Sequence, residues 1–96
     1  MHDVAVLIKR EHGKEDVLRE VFCGVRSIGM KEFYAANGTD YHPELKLVLA
    51  DYLDYNNETL ADFNGERYRI LRTYRVGQEL ELTLERASAE ESEEDG

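Results

Sequence analysis

Tryptophan is missing from this 96-residue chain, and proline and cysteine occur once each. A single cysteine, Cys23, excludes an internal disulfide framework and any Cys-x-x-Cys metal knuckle. An odd thiol fits a reducing compartment better than a secreted one. Cys23 lies in an apolar run beside Phe22, whereas a reactive thiol needs an electropositive, accessible setting, so it reads as a buried or half-buried structural residue. Long apolar runs are also lacking: none approaches the ~20 residues of a membrane span. The first ten residues contain Asp3 and no basic stretch, so no signal peptide is expected.

Positive charge is scarce. Twelve Lys and Arg face 21 Asp and Glu, a formal net charge of −9. Glu90, Glu91, Glu93, Glu94 and Asp95 carry five of those negatives, and residues 1–87 alone have a net charge of −4. Counterion-driven binding to nucleic acid needs a basic patch, and the chain offers none. An acidic wall can still surround DNA without gripping it. Ser88 to Gly96 has no large apolar group to offset ordering entropy, so residues 88–96 are expected to be a disordered acidic tail. Residues 1–87 are expected to form one domain, since a chain this short holds one core.

What is present is alternation. Val4–Lys9, Val17–Ser27, Glu44–Ala50, Thr59–Phe63, Glu66–Tyr74 and Glu79–Arg86 read as six short strands. Asn64-Gly65 can take the left-handed angles of a two-residue type I′ turn. That register sets Asp62 opposite Arg67 and Ala61 opposite Tyr68. Leu80, Leu82 and Leu84 should face the core with Tyr68 and Ile70, leaving Arg67 and Arg69 outside among Glu81 and Glu85. Arg72 breaks the pattern by sharing the parity of Ile70 and Tyr74. It either snorkels at the sheet end or marks an interface. Gly24 is a candidate bulge. Gly29 to Gly38 has Met30, Phe33 and Asn37 at helical spacing and reads as a short helix or ordered loop between strands 2 and 3. The fold class expected is all-β: a small antiparallel six-stranded β-barrel, with a two-layer sandwich as the alternative.

Chemistry-bearing groups are dispersed. His2, His12 and His42 are far apart and read as surface histidines rather than a zinc site. Asp51, Asp54 and Glu58 are the densest carboxylates of the ordered region, but they lack the alternating ligands and central glycine of a calcium loop. A solvated loop is the expectation there, with Tyr52 and Tyr55 as candidate partner-contact residues. No cofactor, metal or catalytic set is expected.

The ordered series VFCGVRSIGMKEFYAA (Val21 to Ala36), YHPELKLVL (Tyr41 to Leu49), DYLDYNNETL (Asp51 to Leu60), FNGERYRILRTY (Phe63 to Tyr74) and ELELTLER (Glu79 to Arg86) resembles the head–tail joining, or head closure, proteins of long-tailed bacteriophages and prophages. The shared features are a Glu-Phe…Ala segment, a Pro-Glu strand start, an Asp-Tyr loop, a Gly-x-x-Tyr-x-Ile hairpin and a final Leu/Glu strand. The Arg10–Asp16 loop is shorter than in many members. The resemblance implies a non-enzymatic barrel that assembles as a ring below the portal and its adaptor, closes the DNA-filled head and offers a docking face to the tail. It implies a place in the virion, self-association, the portal-adaptor ring and tail proteins as partners, DNA passing without specific binding, and no membrane. By position it makes Met30, Phe33, Tyr34, Tyr41 and His42 the candidate interface or channel segment, with capping of the barrel end as the other role for Met30 and Phe33. Alternatives are another connector component such as a tail terminator, or a small SH3-like or OB-like nucleic-acid-binding module, which needs exposed aromatics on a basic face.

Overall fold

A computed structural model of the chain describes residues 2–29 and 42–87. Six strands occur in it: β1 (Asp3–Lys9), β2 (Val17–Arg26), β3 (Pro43–Leu49), β4 (Leu60–Phe63), β5 (Glu66–Val76) and β6 (Glu79–Arg86). They close an antiparallel barrel in the order β1-β2-β3-β6-β5-β4, with β4 returning to β1. Closure pairs Val6 with Asp62, Leu7 with Ala61 and Ile8 with Leu60. A closed barrel removes most of the open sheet edge that a six-stranded sheet would expose. The expected short helix or ordered loop falls, from Met30 onward, outside the described residues, as does the tail from Ser88.

Inward positions alternate along every strand and meet in one core. Ala5 and Leu7, Val21 and Cys23, Leu47 and Leu49, Ala61 and Phe63, Tyr68, and Leu80, Leu82 and Leu84 form it. Cys23 is fully buried, as its apolar neighbours imply. Burial, and then the Asp3 carboxylate, push its thiol pKa up, the opposite of what a nucleophile needs.

Asn64 and Gly65 both have positive φ, 53° and 79°, and the hairpin they make pairs Asp62 with Arg67 and Ala61 with Tyr68. Arg67 grips Asp62 through two hydrogen bonds, 2.6 and 2.9 Å. The β5–β6 turn is tighter than the alternation implied: β5 runs on to Val76, and Gly77, at φ 59°, turns the chain.

Two expectations need correction. Gly24 is not a bulge; it pairs with Val48 in an unbroken β2–β3 register. The register shifts lie instead between Pro43 and Leu45 and between Ile70 and Arg72. The second resolves the Arg72 anomaly. Leu71 is an extra residue, so Ile70 opposes Leu84 while Arg72 opposes Thr83. One added residue moves all that follow to the other face. Ile70 therefore packs on the core, whereas Arg72, Tyr74 and Val76 point outward.

The connection from β3 to β4 follows from topology. In the closed order these strands lie on opposite sides, so residues 50–59 must cross one mouth of the barrel. A 3-10 turn, Tyr52–Asp54, forms there, capped by Asp51, whose carboxylate accepts the Leu53 N–H at 2.9 Å. At the opposite mouth the chain leaves β2, returns into β3 and leaves β6.

Candidate interaction surface

The outer surface of the barrel is divided in character. Over β3, β6 and β5 it is laced with ion pairs. Glu81 binds Arg26 at 2.9 Å and Lys46 at 3.5 Å, and Arg69 pairs with Glu85. Here Arg69 and Glu85 are cross-strand partners, as the outward parity of the arginines implied. Glu85 is buried, and its carboxylate also accepts the His42 backbone N–H at 2.8 Å. Burial pushes the Glu85 pKa up. The His42 N–H, the Arg69 hydrogen bond and the Arg69 charge outweigh that and hold it below the ordinary carboxylate value.

Over β1 and the first half of β2 the outside is mainly apolar, with the exposed Glu20 between Leu18 and Phe22. Val4 opposes Phe22, Val6 opposes Glu20 and Ile8 opposes Leu18, all on the outward parity. Ile8, flanked by Leu18 and by Leu60 of β4, is buried, but Leu18 is 64% exposed and Phe22 69% exposed. Scattered surface hydrophobes need no explanation; a contiguous stripe marks a contact surface. A second exposed apolar group lies on β5, where Tyr74 is 65% and Val76 52% exposed, next to the exposed Arg72.

The two tyrosines of the crossing loop are half-buried rather than displayed. Tyr52 and Tyr55 pack against the core and close the barrel mouth. Arg75 lies over the Tyr52 ring, 3.5 Å from its centroid. The Tyr55 hydroxyl donates to the Glu58 carbonyl at 2.8 Å, and burial, then the Glu58 charge, raise its pKa. The loop's displayed apolar side chain is Leu53. Its carboxylates do not converge. Asp51 caps the turn and accepts the Gln78 amide at 2.9 Å, whereas Glu58 is buried, accepting the Asn56 N–H at 2.6 Å and facing Arg19 at 3.4 Å. Among the described residues, no three His, Cys, Asp or Glu side chains gather as metal ligands.

Of the segment the resemblance singles out, Met30, Phe33, Tyr34 and Tyr41 lie outside the described residues. His42 is exposed where the chain returns, its backbone fixed by Glu85. Leu18, Phe22, Tyr74 and Val76 were not legible as a surface beforehand. In β2 apolar residues occupy both parities, so alternation gives no sign of which face is outside; the only signal was that excess itself. Among the described residues no helix is long and apolar enough to cross a membrane. No family model matches the chain, and no curated protein matches it.

Proposed function

We propose that this chain is a structural component of a phage head–tail connector, assembling as a ring below the portal and its adaptor, closing the DNA-filled head and presenting a docking face to the tail. The observation that carries the reading is the pair of large apolar side chains, Leu18 and Phe22, exposed on the outside of the barrel and absent from its core cluster. Leu18 and Phe22 flank Glu20 on the outward face, and exposed apolar groups gathered in this way serve contact with another macromolecule. The ordered series of segments from Val21 to Arg86 supports the connector as the setting. Charge supports a passive relation to DNA, because an acidic ring can let the polymer pass without adhering. Closure in this reading is mechanical, achieved by assembly and not by bond chemistry.

The test uses DNA-filled heads made without this protein by the long-tailed phage or prophage that encodes it. Adding the purified chain should protect the packaged DNA from nuclease and restore tail attachment. Heads that retain DNA and accept tails equally well without it, or that never bind it, would overturn the proposal.

A further inference from the structure

β2 and β5 stand three places apart in either direction around the closed order β1-β2-β3-β6-β5-β4, so they occupy opposite sides of the barrel. Each carries an exposed outward triplet at alternate positions. On β2 it is Leu18, Glu20 and Phe22; on β5 it is Arg72, Tyr74 and Val76. Each triplet pairs apolar groups with one charge, and the two charges have opposite sign.

Both triplets also lie on strand halves that are paired on one side alone among the described residues. β2 meets β1 from Val17 to Cys23 but meets β3 only from Cys23 to Arg26. β5 meets β6 through to Val76 but meets β4 only from Glu66 to Arg69. Beyond those limits no described strand pairs with the second edge of either half, and such an edge is a template for pairing with another chain. These halves project at the same mouth, the one crossed by Tyr52–Asp54.

We infer that copies of this chain associate head to tail, the Leu18–Phe22 half of β2 in one copy seating on the Arg72–Val76 half of β5 in the next. Leu18 and Phe22 pack against Tyr74 and Val76, and Glu20 meets Arg72. Two unlike patches on opposite sides of one body cannot satisfy each other in a two-fold dimer. They generate a heterologous contact, which propagates and closes into a ring when the rotation between copies permits. A second copy is the occupant because the complementary charge and the complementary edge are both found on this chain. The inference rests on the ring reading above and names its contact.

The experiment is a charge-reversal cycle read by sedimentation velocity at millimolar protein, with circular dichroism to verify folding. Wild type should form oligomers larger than a dimer. Glu20→Arg alone and Arg72→Glu alone should each weaken association by about tenfold or more, since each sets like charges together. The doubly reversed chain should recover it. So should an equal mixture of the two single variants, because alternating copies then bring opposite charges together at every contact. Failure of both rescues overturns the contact.

A second measurement uses cysteines introduced in a Cys23→Ala background. Glu20→Cys with Arg72→Cys in one chain should oxidise to a ladder of multimers, and neither single variant should give more than monomer. Dimers from Glu20→Cys alone would show a two-fold contact through β2 and overturn the inference, as would an absence of ladder from the double variant. The two proposals fail separately. Ladder formation by a protein that leaves heads leaking removes the connector role and keeps the contact. Heads sealed by a chain that gives no ladder, in solution or on the heads, remove the contact and keep the role.

Discussion

Arg75, on β5, lies over the ring of Tyr52, a residue of the loop that crosses the barrel mouth, with 3.5 Å between guanidinium carbon and ring centroid. The Arg75 Nε donates to the Gly77 carbonyl at 2.8 Å, which holds the guanidinium over the ring. The Tyr52 N–H donates to the Gln78 carbonyl at 2.8 Å, so loop and hairpin are joined by backbone as well as by stacking.

A double-mutant cycle isolates that stacking. Tyr52→Leu with Arg75→Met should show a coupling of about 0.5–1 kcal/mol in urea unfolding, the range of a partly exposed cation–π pair. A coupling near zero would assign the loop's attachment to the backbone bonds and core packing alone.

Burial separates the leucines sharply. Leu82 is fully buried in the barrel, whereas Leu18 is mostly exposed on its outside. Leu82→Ala should therefore lose ~2–5 kcal/mol of stability, and Leu18→Ala should stay within about 0.5 kcal/mol of wild type in the dilute monomer. Urea midpoints for both variants check this. Equal losses would contradict the assigned faces.

The alternation that separates these leucines was readable in advance wherever one face of a strand is apolar and the other polar. Leu80, Leu82 and Leu84 set against Glu79, Glu81 and Thr83 defined β6 to the residue. Asn64-Gly65 defined the register of its hairpin, because few other dipeptides take two left-handed conformations in succession. β5 was harder. The extra Leu71 inverts parity halfway, and its trace in the sequence was the misplaced Arg72. The burial of Glu58, and the hold of Glu85 on a residue 43 positions away, were beyond local pattern. Both depend on groups that only the closed barrel brings together. The exposed apolar groups of β2 escaped for the opposite reason: Leu18 and Phe22 look like core residues until the barrel's closure turns them outward.

The Asn64-Gly65 turn supplies a backbone prediction. A Cβ at Gly65 would meet no atom within 4 Å beyond its chain neighbours, yet φ is 79°. A substitution there meets open space and pays in conformation alone. Gly65→Val should destabilise by about 1–3 kcal/mol, because a β-branched residue resists positive φ, and Gly65→Asn should lose much less. Thermal or urea unfolding of the two variants gives the comparison. Equal effects would remove positive φ as the reason.

Glu85 gives the barrel a dependence on acidity. Its folded pKa lies below the ordinary glutamate value of 4.5, despite the opposing effect of burial, because Arg69 and the His42 N–H favour the charged form. In the unfolded chain the carboxyl binds its proton at the ordinary value, so between the two pKa values the unfolded state holds more protons. Stability therefore rises with pH across that window. The contribution of Glu85 is complete above the unfolded pKa and is lost as pH falls through the folded one. Glu85→Gln keeps the shape and removes the titration. At pH 7 it should lower stability by about 1–3 kcal/mol, the range for weakening a buried charge-assisted hydrogen-bond set. The gap from wild type should narrow as the pH drops below 4.5, where the carboxyl of the unfolded wild-type chain takes up its proton before that of the folded one. Urea unfolding of both proteins from pH 7 to pH 3 measures the gap at each step. A gap that stays constant over this range would show that Glu85 holds Arg69 and His42 by shape and not by charge.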